Sequence, residues 1–347
     1  MQKIKHINRI LFFILLVFIL LYMGSAFLVP LVFGIFFASL MAPFSNILER
    51  IKVNRILSSL ISTLVIFIVT GLILYILLLQ INRFVIDIPQ VREEVESVVL
   101  DIQKGIASMT DVSVEEQTEL FRNRSENIYG AIESGMTSLL GNLLNITAAF
   151  LLMMVYVFLL LYYRERIRDS FLMYVDMEKR EEAEEILNET SEVVYHYLWG
   201  RVKVMALLGI MYYITFLIFD LPYAVLLTIF GALITIIPYL GPFLSGILPI
   251  AFAVLYLENL QTILLFTAVV VTIQLVESYV IEPVILGSEV KLNPLIVIIA
   301  ITMGAMVWGL AGMILFVPIF AILKIIADHS PGLKPLGHLL GSPKSPS

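Results

Sequence analysis

The sequence predicts an all-α polytopic membrane protein with about six full transmembrane helices and two re-entrant helical hairpins, eight hydrophobic segments in all. Three observations predict it. Of 347 residues, 60% are hydrophobic and 14% charged, against about 25% charged in a soluble domain. Apolar runs close to the roughly 20 residues needed to cross a bilayer recur along the chain. These runs are continuous, whereas the strands of a membrane barrel alternate in short segments. Cysteine is absent, which removes disulfides and thiolate metal sites. The net charge of −6 and the pI near 5.3 belong to the polar loops and argue against a nucleic-acid partner.

Residues 1–80 hold the first three spans, near 10–29, 30–48 and 57–79. The opening "MQKIKHINRILFFILLVFILLYMGSAF" has a basic head and a signal-like "GSA". The apolar run continues to Val29, however, so an uncleaved span ending at Pro30 is expected. Lys3, Lys5 and Arg9, then Arg50, Lys52 and Arg55, place the N-terminus and the 2–3 turn in the cytoplasm. Residues 81–140 read as an extracytoplasmic insertion rich in Glu and Asp, with Val91, Val95, Val98, Val99 and Ile102 at the spacing of an amphipathic helix. The fourth span, 141–163, returns inside to a charged helix over 164–200. Its mixed Glu, Lys and Arg read as a solvated face.

Residues 201–326 read as the transport core, and 327–347 as a cytoplasmic tail. Full spans are expected at 201–219 and 261–280. Each is followed by two short apolar arms, over 222–257 and 294–325, parted by "PYLGP" in the first case and by Gly304, Gly309 and Gly312 in the second. An arm of about 15 residues rises about 22 Å, against about 30 Å of hydrocarbon. "ILPIAFAVL" (247–255) aligns with "LFVPIFAIL" (315–323), which points to an internal repeat. Re-entrant hairpins keep Lys291, Lys324, Lys334 and Lys344 inside and make the two copies inverted, as in many secondary transporters.

The sequence contains no phosphate-binding loop, H-E-x-x-H or nucleophile elbow, and its four histidines lie in polar segments. An enzyme is not expected, nor any metal or cofactor beyond a coupling H⁺ or Na⁺. Ionisable residues enter the apolar chain around 274–295. Thr267, Gln274 and Ser278 share a narrow arc at about 100° per residue, with Glu277 about 60° to one side. A carboxylate there faces protein or water and is either an ion or substrate ligand or a residue reaching the interface. Glu282 precedes Pro283, so a helix end is expected at Glu282, which then needs a cation: H⁺, Na⁺, Lys291 or a basic loop residue. Asn293 before Pro294 reads as the N-cap of the second hairpin, and Asp220 before Pro222 as that of the first. Pro238 and Pro242 break helix, Gly241 permits the turn, and Tyr239 offers a hydroxyl. Pro283, Gly287, Pro294 and the three glycines read as hinge or close-packing positions.

On "IPYLGPFLSGILP" (237–249), "QLVESYVIEPVILGSEVKLNPLIV" (274–297) and "GAMVWGLAGMILFVPIFAILK" (304–324), the chain resembles the autoinducer-2 exporter family of bacterial and archaeal membrane proteins. The order and spacing of these stretches match, and the likeness covers nearly the whole chain. Where this chain has Asn293 the family often has His, so a titratable group is lost while capping is kept. The resemblance implies transport in a cytoplasmic (inner) membrane. Some members are linked to export of the small polar signal autoinducer-2, and others resemble Na⁺/H⁺ antiporters. By motif position it carries over Glu277, Glu282, Asn293 and the Pro238–Pro242 turn. Three readings stand open: a secondary exporter of a small polar solute, a monovalent cation/proton antiporter, and a membrane scaffold whose external region binds a partner. A homo-oligomer is compatible with each.

Overall fold

The computed structural model describes residues 2–109, 130, 134–135, 138, 141–286 and 292–342. Gly287, Glu289, Lys291, Lys344 and most of 110–140 lie outside the described residues. The helices are α1 (Gln2–Met23), α2 (Ser25–Arg50), α3 (Arg55–Met109), α4 (Leu143–Met173), α5 (Arg180–Ile218), α6 (Ala224–Ile234), α7 (Leu240–Tyr256), α8 (Leu260–Val276), α9 (Glu282–Ile285), α10 (Pro294–His329) and α11 (Lys334–Leu340). Among the described residues, six helical stretches are long and apolar enough to cross a membrane, those of α2, α3, α4, α5, α8 with α9, and α10, the last counted across both of its arms, and α6 and α7 are shorter apolar helices.

The first departure from expectation is at Pro30, which lies inside α2 and is buried; the break falls at Gly24. A proline inside a membrane helix is tolerated where neighbours re-satisfy the freed carbonyl, whereas glycine offers least resistance to bending. From Gly24, α2 crosses α4 closely: a Cβ on Gly34 would lie 2.8 Å from Tyr156 Cβ. After Ile51, Lys52 turns the chain with φ 69°, and Asn54 Oδ1 accepts from the Leu57 amide at 2.8 Å to start α3. Arg164 of α4 binds Glu49 and Asn46 at 2.7 Å each and Ser45 Oγ at 3.1 Å, while Arg55 pairs with Glu165 at 2.5 Å. These bonds tie α2, α3 and α4 together at their basic ends.

Helix α3 does not stop at the end of its apolar run. It continues for 55 residues, about 80 Å, and carries Pro89 within it. Its polar extension packs on the core through Phe84, whose ring meets Tyr223 at 5.2 Å and Phe252 at 5.9 Å. Tyr223 Oη also donates to Asp87 at 2.9 Å. The charged segment 164–200 is divided between the end of α4 and the first half of α5, and the buried Val194 and Tyr197 already pack in the bundle.

Helices α5, α7 and α8 meet on Val204, Leu208, Tyr212, Phe216, Ala253, Phe266 and Val270. Helices α6 and α7 form the first hairpin. At its turn a Cβ on Gly241 would lie 2.3 Å from the Ile234 carbonyl oxygen, so only glycine fits. Helix α10 is the second hairpin, although it reads as one helix of 36 residues. Trp308 (φ −130°, ψ 15°) and Gly309 (φ 59°, ψ −137°) leave helical geometry and fold it back. The two arms touch backbone to backbone, since a Cβ on Gly304 would lie 2.2 Å from the Gly312 oxygen. The Gly309 conformation is one that side chains resist. Each hairpin therefore has arms too short, singly, to behave as an ordinary span, apart from the longer exit arm of the second.

Candidate functional site

Within 201–326, buried polar residues including Arg201, Thr235, Ser245 and Glu277 collect where α8 ends beside the first hairpin and α5, apart from a second set, Ser45, Ser58, Ser59, Ser62 and Thr63, between α2 and α3. Helix α8 stays regular to Val276, then widens into a π-helical turn over Glu277–Ile281 and continues as α9. This corrects the expectation that the helix ends at Glu282. A proline ring clashes with the carbonyl four residues back, and the π turn moves that carbonyl away, so Pro283 is accommodated without a break. Glu282 N–H accordingly donates to Glu277 O, one residue further back than in an α-helix. At the start of the turn Glu277 is wholly buried, while Ser278, expected on the polar face with Gln274, is exposed.

Glu277 is 0% exposed, and neither carboxylate oxygen has a hydrogen-bond partner among the described residues. One turn earlier, Gln274 donates to the Pro242 carbonyl at 2.5 Å. Its amide lies over Gly246, where a Cβ would come within 1.9 Å of Nε2. Ser245 Oγ donates to the same Pro242 carbonyl at 3.1 Å, and Tyr212 Oη to Ser245 Oγ at 3.3 Å. The first turns of α7 are thus pinned by α8 on one side and α5 on the other.

Glu282 finds its cation in Arg201, at 2.6 Å. Arg201 is 6% exposed, lies 5.7 Å from the centroid of the Tyr197 ring, and donates to the Thr235 carbonyl at 3.4 Å. Thr235 caps the C-terminal end of α6, where a cation is favoured by the unpaired carbonyls. Gly200 allows Leu286 to pack against α5, since a Cβ there would lie 2.7 Å from Leu286 Cδ2. With both glutamates ionised, this group carries a net charge of about −1, which one proton or one monovalent cation would balance.

The remaining expected residues are placed elsewhere. Asn293 does cap α10, accepting from the Leu295 amide at 3.0 Å with Pro294 at the first helical position. Its own amide, however, bonds the Leu340 carbonyl at 2.9 Å, so it belongs to the base of the second hairpin. Asp220 is not the N-cap of the first hairpin. It ends α5 with φ 50°, and the bonds Asp220 N–H to Leu217 O and Leu221 N–H to Phe216 O close that helix in a left-handed cap. Tyr223, also left-handed, precedes α6. Tyr239 is 58% exposed and holds a strained positive φ of 65° in a γ-turn, with Leu240 N–H bonded to Pro238 O. Arg201, Tyr212, Thr235 and Ser245 were not anticipated. Among the described residues no three of His, Asp and Glu converge to hold a metal ion.

Comparison with known proteins agrees with this architecture. The model of the AI-2E family transporter matches residues 11–332. YrrI of Bacillus subtilis is 25% identical over 311 residues, covering 87% of this chain and 86% of the relative. YueF of the same organism is 26% identical over 338 residues, with 91% and 90% covered. The AI-2 transport protein TqsA of Escherichia coli is 24% identical over 316 residues, with 90% and 89% covered. A family match across the helical bundle and both hairpins identifies this chain as a multi-pass membrane protein that belongs to the AI-2E family of transporters.

Proposed function

We propose that the protein is an ion-coupled secondary transporter that exports a small polar solute, and that Glu277 is the group that binds the coupling H⁺ or Na⁺. The observation that carries this reading is the carboxylate of Glu277, fully buried with both oxygens unpartnered among the described residues. An ionised carboxylate in that position is costly, and a proton or a small cation relieves the cost. Arg201 already serves Glu282 and the end of α6, which leaves Glu277 as the open member of the group. Gln274, Ser245 and Tyr212 add neutral polar atoms beside it, chemistry suited to a small uncharged solute. The name of TqsA makes autoinducer-2 the first solute to test. The orientation that goes with this reading is a cytoplasmic membrane with both termini inside.

The same carboxylate supports a second reading, a monovalent cation/proton antiporter in which the ion is itself the cargo. Flux in proteoliposomes under imposed H⁺ and Na⁺ gradients, with and without autoinducer-2 and a panel of polar solutes, separates the two. The expected result is gradient-driven solute flux that falls at least tenfold in Glu277→Gln while the variant keeps its thermal stability. Na⁺ flux without any solute dependence selects the antiporter. Undiminished gradient-driven flux in Glu277→Gln removes the role given to that residue, and no flux of any kind returns the scaffold reading.

A further inference from the structure

The second hairpin is closed at its tip by the backbone contact of Gly304 with Gly312, and its arms pack through Ile296, Ala300, Phe316 and Ala321 toward the open end. There the chain enters through Leu292–Pro294 and leaves through Ala327–Ser330. Beyond Ser330 it turns back through Leu333 N–H to Ser330 O at 2.9 Å and forms α11 across this open end. Leu292 and Gly341 then pair as an antiparallel bridge, Asn293 N–H bonds Leu340 O at 2.9 Å, and Ser342 Oγ donates to Leu292 O at 2.8 Å. Leu292 and Leu340 are each 5% exposed and share one apolar cluster with Ile296, Phe316 and Ala321 from both arms.

The docking of α11 has a glycine at its closest approach. A Cβ on Gly337 would lie 2.1 Å from Asp328 Oδ1 and 3.1 Å from Asp328 N. Asp328 Oδ2 accepts from Lys324 at 2.5 Å on the same helix, and the Asp328 backbone nitrogen, which cannot rotate away, adds to the closeness of the approach. Backbone pairing, a buried leucine on each side and this close approach connect the first residues of the hairpin to the segment after its last. We propose that residues 334–342 are a strap that ties the two arms of the second hairpin at their open end, so that the arms move as one body.

The protein contains no cysteine, which makes the test direct. Nitroxide labels at Leu295→Cys and Ile326→Cys, both exposed near the open end, report the separation of the arms by pulsed electron resonance in nanodiscs. A single narrow distance is expected in the full chain, with at least a twofold broadening when 334–347 are removed. Gly337→Leu, which keeps every pairing residue, is expected to broaden it as well, and decides the matter if the shortened chain fails to fold. Separately, Leu292→Cys with Gly341→Cys is expected to form a disulfide, because the bridge is of the non-hydrogen-bonded kind with Cα atoms about 4.5 Å apart. In the Gly337→Leu background that disulfide is expected to restore hydrogen-exchange protection over 296–307. An unchanged distance distribution in Gly337→Leu, or failure of the cysteine pair to oxidise, overturns the proposal. None of these readouts depends on which solute or ion is carried.

Discussion

Removing Arg201 tests the electrostatic core of the site most directly. Its pair with Glu282 is asymmetric, since the arginine side chain is 7% exposed and the glutamate 32%. Breaking a buried pair by deleting one partner costs about 3–5 kcal/mol, chiefly because the survivor is left charged and dry. Arg201→Met keeps the aliphatic packing and strands Glu282, which is open enough to regain part of its hydration, so the cost should be about 2–3 kcal/mol. Glu282→Leu leaves the buried guanidinium without its direct partner, with the Thr235 carbonyl and the nearby Glu277 as remaining support, and should cost about 3 kcal/mol. The double variant replaces the pair with apolar groups and should be less destabilised than the sum of the singles by about 2 kcal/mol or more. Unfolding in mixed micelles, read by circular dichroism, measures all four corners of this cycle. Additivity within about 0.5 kcal/mol would refute the reasoning.

Three further substitutions probe the second hairpin, and one in α3 serves as a control. Gly304→Ala forces the arms apart against a backbone oxygen that cannot rotate away, and should cost about 1–3 kcal/mol or more. Gly71→Ala in α3, where nothing lies within 4 Å, should be neutral or slightly stabilising in the same melting assay. Asn293→Ala removes the acceptor for the Leu295 amide and should lower stability by about 1 kcal/mol, while Asn293→Ser should stay within a few tenths, as followed by thermal denaturation.

Several parts of the fold were legible because local rules govern them. The apolar runs of α3, α4, α5 and α8, the shortness of the hairpin arms and the capping role of Asn293 depend on composition and on neighbours within a turn. Asp220 and Glu282 were misread by the same local logic. Asp220 precedes a proline dipeptide, yet the carbonyls of Phe216 and Leu217 claim that stretch as a helix end. Glu282 precedes Pro283, yet a π turn absorbs the ring. The Arg201–Glu282 pair left a trace that topology could have followed, because the span opening at Arg201 and the span closing before Glu282 meet the same side of the membrane.

The amino-acid sequence by itself determined that this chain is a helical membrane protein, because hydrocarbon thickness and helix rise leave no other use for its long apolar runs, and short paired arms with breakers between them pointed to two hairpins. It also narrowed the ionisable residues to a few positions around 274–295. Only the tertiary structure decided that Glu282 is already paired with Arg201, 81 residues away, and that Glu277 is buried with no partner among the described residues. Burial and pairing depend on which helices pack together and on the register at which a π turn sets a side chain. Neither quantity is encoded in the few neighbours that a sequence reading can compare.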